Sequence, residues 1–223
     1  MLFEESTSYE SKIIIGVGHS LLSSWGAEAL SSVRSNFPKI KLSVNSHRGK
    51  IALDRVSSGE YMVAFVPGLG ENVPGLLAEL ICEEEMVIIP SKLKPFRLSK
   101  FDEISLLSSE PTETTWSSIS STFRRYSKKI GVKLKVVNTI QTFSAAAKLA
   151  EAGFGHAIVP MGVANSFRYK DSELVKLPKG GVSRPISIIG RKNTLTKKSI
   201  IHLIDKLRVY CKTSNSKKQS SHR

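Results

Sequence analysis

The chain has 223 residues, a formal net charge of +14, 40% hydrophobic residues and two cysteines. That composition is ordinary for a globular chain, and two cysteines exclude a disulfide-built scaffold and a cysteine-ligated zinc site. The longest apolar runs, such as 13–17 and 157–163, fall far short of the roughly 20 residues a spanning helix needs, and MLFEESTSYE lacks the order of a secretory signal.

Residues 12–18 (KIIIGVG) read as a buried strand closed by glycine. Leu22, Trp25, Ala29, Leu30, Val33 and Phe37 then fall at helical spacing, and Pro38 stops the helix. Residues 40–46 alternate like a strand, 50–58 form a short helix before Gly59, and 61–66 (YMVAFV) form another buried strand. The first 66 residues therefore run strand, helix, strand, helix, strand. That order favours a parallel sheet with right-handed crossovers.

After the loop GLGENVPG, residues 76–82 and 85–90 read as two strands, and KLKPFRL at 92–98 as a connection. A strand follows at 104–108. Trp116, Ile119, Phe123, Tyr126 and Ile130 mark an amphipathic helix over 115–130, and 133–138 is a strand. Thr142 is an N-cap for FSAAAKLAEA, with Gly153 as its stop. A buried strand at 156–160 and a short helix at 161–167 complete a second α/β unit. LVKLP and RPISIIGR follow as strands, and 196–210 is a final helix carrying Ile200, Ile201, Leu203, Ile204 and Leu207.

The two units are expected to form two lobes with two crossings between them. The expected division is a short extension at 1–11, lobe one at 12–87 with 188–210, and lobe two at 88–187. A basic, disordered tail is expected at 211–223. Two crossings make a hinge, and the cleft between lobes suits a small ligand. Residues 184–223 hold eleven Lys or Arg against one acid, Asp205. Such an end suits either nucleic-acid phosphates or nothing more than solvent.

Catalytic patterns are missing from the sequence. Gly16-Val17-Gly18 sits where a dinucleotide fingerprint begins, but Leu21 replaces its third glycine and no acid ends the next strand. The histidines do not pair at metal-binding spacing, no GxSxG elbow occurs, and Glu83-Glu84-Glu85 reads as a solvated strand end. Neither a metal nor a cofactor is expected. What remains is a set of helix starts: His19-Ser20, Arg48-Gly49-Lys50, Thr114-Thr115-Trp116 and Gln141-Thr142. Helix N-termini offer unpaired N–H groups and a positive end to an anion, although hydroxyls there also serve as ordinary caps.

The segments IIIGVGHSLL at 13–22, VRSNFPKIKLSV at 33–44, LDRVSSGEYMVAFV at 53–66, ELICEEEMVIIP at 79–90 and KLAEAGFGHAIVP at 148–160 follow one another at a telling spacing. In that order they resemble the effector-binding domain of LysR-type transcriptional regulators, over about 12–210. The resemblance implies a two-lobed α/β fold like that of periplasmic solute-binding proteins, with two Rossmann-like subdomains. It implies a non-catalytic, cytoplasmic sensor that binds a small, anionic metabolite between its lobes and controls transcription. It implies contact between that effector and Ser20, Leu21, Arg48, Gly49, Lys50, Pro67, Gly68, Thr114, Trp116, Thr139 and Gln141. It also implies an antiparallel homodimer, a tetramer in the full-length regulator, no membrane partner, and DNA contact only through a helix-turn-helix outside this sequence. A stand-alone solute-binding protein for transport is the alternative, with an enzyme on the same scaffold further behind.

Overall fold

The computed structural model describes residues 11–36, 38–69, 73–93, 96, 103–109, 123–177 and 181–220. The expected helix start at 114–116 lies outside them. Lobe one begins with β1 (Ser11–Gly18), the turn α1 (His19–Leu21), a π-helical stretch (Leu22–Gly26) and α2 (Ala27–Asn36). Then come β2 (Ile40–His47), α3 (Gly49–Ser58) and β3 (Val63–Pro67). β1 lies between β2 and β3, parallel to both. Strands buried on both faces need apolar residues at every position. Ile13, Ile15 and Val17 accordingly face a core shared with α2, while Ile14 packs with α3 on the other side.

The expected strand pair at 76–82 and 85–90 is a single strand, β4 (Leu76–Ile89). A bulge between Leu80 and Cys82 absorbs the irregularity in its pattern, so the polar run CEEE does not break it. β4 belongs to both lobes. Leu76–Glu85 pairs antiparallel with β9 (Ser183–Arg191), and Met86–Ile89 pairs antiparallel with β7 (His156–Pro160). β9 also pairs with β3, which closes lobe one.

Lobe two continues with β5 (Glu103–Ser109), the helix α4 seen over 123–130, β6 (Lys133–Ile140) and α5 (Phe143–Glu151). β5 runs parallel to both β6 and β7. After β7 come α6 (Met161–Ser166) and β8 (Val175–Lys176), two residues rather than the five of LVKLP. Its core joins Met86–Ile89, Leu106, Leu107 and Ala157–Val159 to Phe143, Ala146, Ala147 and Ala150 of α5. The alanines let the helix axis approach the sheet closely. Thr142 caps α5 by accepting from the Ala145 N–H at 3.1 Å. Gly153 ends it at φ +90°, where a Cβ would stand 2.4 Å from Leu93 Cγ.

The chain ends with α7 (Lys192–Leu195) and α8 (Lys198–Ser220). The sequence reading stops this helix at 210. Nothing in KTSNSKKQS breaks a helix, and Cys211 is still buried in the lobe-one core. Ile200, Leu203, Ile204 and Leu207 form the buried stripe, whereas Ile201 turns outward and is 42% exposed.

Candidate functional site

The junction between the lobes is organised by one ion pair. Glu84 and Arg184 are cross-strand neighbours on β4 and β9. Arg184 is 0% exposed and Glu84 7%. Arg184 Nε and Nη2 both donate to Glu84 Oε2, at 2.9 and 2.7 Å. The other carboxylate oxygen, Oε1, accepts from Trp25 Nε1 at 3.0 Å and from the Gly162 N–H at 3.2 Å. Four donors thus meet one buried carboxylate, which is what burial of a charge requires. The acid triplet is therefore not simply a solvated strand end. Glu83 does face solvent and accepts from Ser183 Oγ, but alternation along the strand turns Glu84 inward onto Arg184.

The partners of this pair come from both lobes. Trp25 belongs to the π-helical stretch of lobe one, where Ser24 departs from helical geometry at φ −125°, ψ −117°. Ser24 Oγ donates to the carbonyls of Ser20 and Leu21, at 2.6 and 3.2 Å, replacing bonds the distortion removes. The distortion sets Trp25 edge-on to Phe65 and stacked on Tyr210, with ring centroids 5.7 and 6.2 Å away. Gly162 is the second residue of α6 in lobe two. A Cβ on it would lie 2.5 Å from both Glu84 Oε1 and Trp25 Cδ1, so only glycine fits.

Arg184 also reaches the helix starts of both lobes. Its Nη1 donates to Ser20 Oγ at 3.2 Å, and its Cζ lies 5.4 Å from the centre of the Phe143 ring. Ser20 lies in the first helical segment, one residue after its start, and Phe143 opens α5. One guanidinium therefore touches both of the described helix starts that bracket the junction.

The sequence-derived candidates divide unevenly. Ser20 is half-buried and bonded to Arg184, and it makes no cap, since the N-cap is Gly18 without a side-chain bond. Leu21 is fully buried in the lobe-one core, which leaves its side chain no surface to offer. Arg48 is the N-cap of α3 without a side-chain capping bond; Gly49 is buried, and Arg48 and Lys50 are exposed. Beside them His47 Nε2 lies 2.7 Å from the Tyr61 hydroxyl. Pro67 and Gly68 are buried at the end of β3, and the Gly68 N–H is taken by the Pro185 carbonyl at 2.8 Å. Thr139 lies on β6 opposite Ser108, and Gln141 is exposed just before α5. Thr114 and Trp116 lie outside the described residues.

Trp25, Glu84, Phe143, Gly162 and Arg184 are absent from the sequence-derived set. The legible signals are an acid inside a strand pattern and an arginine opening the apolar run PISIIG. Among the described residues no three His, Cys, Asp or Glu side chains group as metal ligands would. No helix among them is long and apolar enough to cross a membrane.

The family model described as the LysR substrate binding domain matches residues 7–212. Among curated proteins, none matches the sequence. Solved structures with the same fold include a variant of the OxyR2 regulatory domain from Vibrio vulnificus, at 14% identity and a TM-score of 0.68, over 93% of this chain and 99% of that one. The effector binding domain of a BenM variant matches at 20% identity and 0.70, over 92% of this chain and 96% of that one. The effector binding domain of QuiR, in complex with shikimate, matches at 14% and 0.69, over 91% and 98%. These neighbours are regulatory domains rather than enzymes, and they share the mixed α/β architecture seen here. With a family match across almost its whole length and a two-lobed fold joined through β4 and β9, the chain belongs to the LysR substrate-binding domain family.

Proposed function

We propose that this domain senses a small carboxylate or similar anion held between its lobes, and passes its occupancy to a DNA-binding partner domain to control transcription. The observation that carries the reading is the bond from Arg184 to Ser20. Because Ser20 Oγ accepts there and makes no helix cap, its hydroxyl hydrogen is left to donate to an anion. Thr142 stands similarly on the other lobe: its oxygen accepts from the Ala145 N–H, which leaves its hydroxyl hydrogen to donate. The N-termini of α5 and α3 add positive ends, and Arg48 and Lys50 flank the second. Arg184 itself is neutralised by Glu84, so it positions Ser20 rather than supplying the net charge. Pro67 and Gly68 contribute shape, since the Gly68 N–H is already used. A neighbour of the same fold is solved with shikimate, which favours carboxylates as the first class to test.

The same reading makes the domain a two-fold homodimer, acting in the cytoplasm and binding DNA only through its partner domain. A thermal-shift panel of small carboxylates, sulfate and phosphate, followed by calorimetry on the best hit, tests the ligand class. Ser20→Ala is expected to weaken the hit by about 1 kcal/mol or somewhat more, roughly fivefold to tenfold. A panel without any stabilising anion, or unchanged affinity in Ser20→Ala, overturns the assignment.

A further inference from the structure

Two charged side chains are buried among the described residues, Arg184 and Glu84, and they cancel each other. Their union is fixed. Glu84 Oε2 takes both Nε and Nη2 of Arg184, while Oε1 is held by Trp25 Nε1 from lobe one and by the Gly162 N–H from lobe two. The carboxylate cannot swing aside to free the guanidinium without giving up both bonds on its other oxygen, and donors left unpaired there are costly. Phe143 faces the guanidinium with its ring, which accommodates the cation and adds no charge. Because Arg184 is sealed from solvent, a small molecule at the junction meets Ser20, half-buried beside it.

Ser20 therefore offers a donor with no net charge behind it. Its oxygen accepts from Arg184 Nη1 at 3.2 Å, which polarises the hydroxyl and strengthens the bond its hydrogen gives. Arg48 and Lys50 are exposed, where water and salt screen their charges. Beside Glu84 on β4, exposed Glu83 and half-buried Glu85 add acids to the crossing, not cations. One ionised group on a ligand can be met by hydroxyl and peptide donors. A second finds no uncancelled cation inside the junction, yet must still shed its hydration. We propose that the inter-lobe site selects singly charged anions, monocarboxylates in class, over doubly charged ones, and that Glu84 sets this preference. The inference rests on the anion reading above and narrows it. Glu84 is a positioning residue: it holds and neutralises Arg184, and through Arg184 fixes the charge that Ser20 presents.

The test is calorimetry on the intact chain with two shape-matched pairs, succinamate against succinate and methanesulfonate against sulfate, at about pH 8 and about 0.15 M salt. Each pair differs by one charge at nearly constant size. The singly charged member is expected to bind about tenfold tighter or more. In Glu84→Gln the guanidinium keeps its charge uncancelled, so that ratio should fall to parity or below; a merely structural loss weakens both members and leaves the ratio where it was. Succinate or sulfate binding as tightly as its partner in the wild-type chain overturns the charge preference and leaves the anion reading standing. An unchanged ratio in Glu84→Gln overturns the role given to Glu84. Should that variant not fold, the wild-type chain still decides: succinamate affinity should change less than about twofold between about 0.05 and 0.5 M salt, and a steep loss would reveal an uncancelled cation at the site. Binding by none of the four overturns the anion reading and this inference together.

Discussion

Arg184 and Lys176 each place a nitrogen within 2.8 Å of a carboxylate oxygen, one at the junction between lobes and one on the rim of lobe two. The junction pair is 0% and 7% exposed; the rim pair, with Asp171, is 49% and 40% exposed. At the rim, water solvates both charges whether or not they meet, so the pair is worth little. At the junction the chain has replaced water with named donors, Trp25 and Gly162 on one oxygen and Arg184 on the other. Distance does not rank the two; what happens when one partner is removed does.

The largest effect should come from Arg184→Leu, which leaves the Glu84 carboxylate buried without its counter-charge. A loss of about 3–5 kcal/mol is expected in urea unfolding. Adding Glu84→Leu should recover much of it, because the orphaned charge goes too. A single-variant loss under about 1 kcal/mol would erase the contrast between junction and rim.

Next in size is Trp25→Phe, which keeps an aromatic ring beside Tyr210 but removes the N–H on Glu84 Oε1. A loss of about 1.5–3 kcal/mol fits a hydrogen bond to a charged group, and differential scanning calorimetry should show it as a lower Tm. Thr142→Ala sits below that, at about 1 kcal/mol, the ordinary cost of an N-cap; a neutral outcome would mean that α5 is held by packing alone.

The rim pairs give the smallest effects and a pH signature. The hydrogen bond from Lys148 holds the Glu151 carboxyl below its ordinary value. That contribution is present above the unfolded-state value and is lost as pH falls through the lowered folded one. The bond to Asp171 raises Lys176, so its contribution is full at neutral pH and disappears as pH rises through the folded value. Each replacement, Glu151→Gln or Lys176→Met, should cost a few tenths of a kcal/mol, resolved by comparing unfolding midpoints across pH.

Most of the architecture is readable in the sequence because it rests on local pattern. β-branched runs such as Ile13–Ile15 and the periodic α5 announce themselves within one element. The breaks come where a distant residue decides. CEEE looks like a strand end because nothing nearby signals that Arg184, a hundred positions on, will neutralise Glu84. The π-helical stretch escapes for a related reason: its distortion is stabilised by Ser24 bonding backbone and by Trp25 reaching another strand. Of the candidate site, Ser20 was legible as a hydroxyl at a helix start, but the guanidinium beside it was not. Leu21 has its side chain in the lobe-one core, so a contact of the kind the resemblance implies falls to its backbone.

The single strand β4 also constrains how this gene can vary. Its side chains alternate faces, so inserting one residue between Glu85 and Met86 would leave lobe one intact while turning every following side chain of the strand over. Met86 and Ile88 would exchange sides with Val87 and Ile89, and the pairing with β7 would slip by one. A one-residue insertion is tolerated only where the strand can bulge, and the fold already has such a place between Leu80 and Cys82. Length variation among relatives should therefore collect at that bulge and in the loops, leaving the stretch from Cys82 to Ile89 a fixed ruler between the two halves.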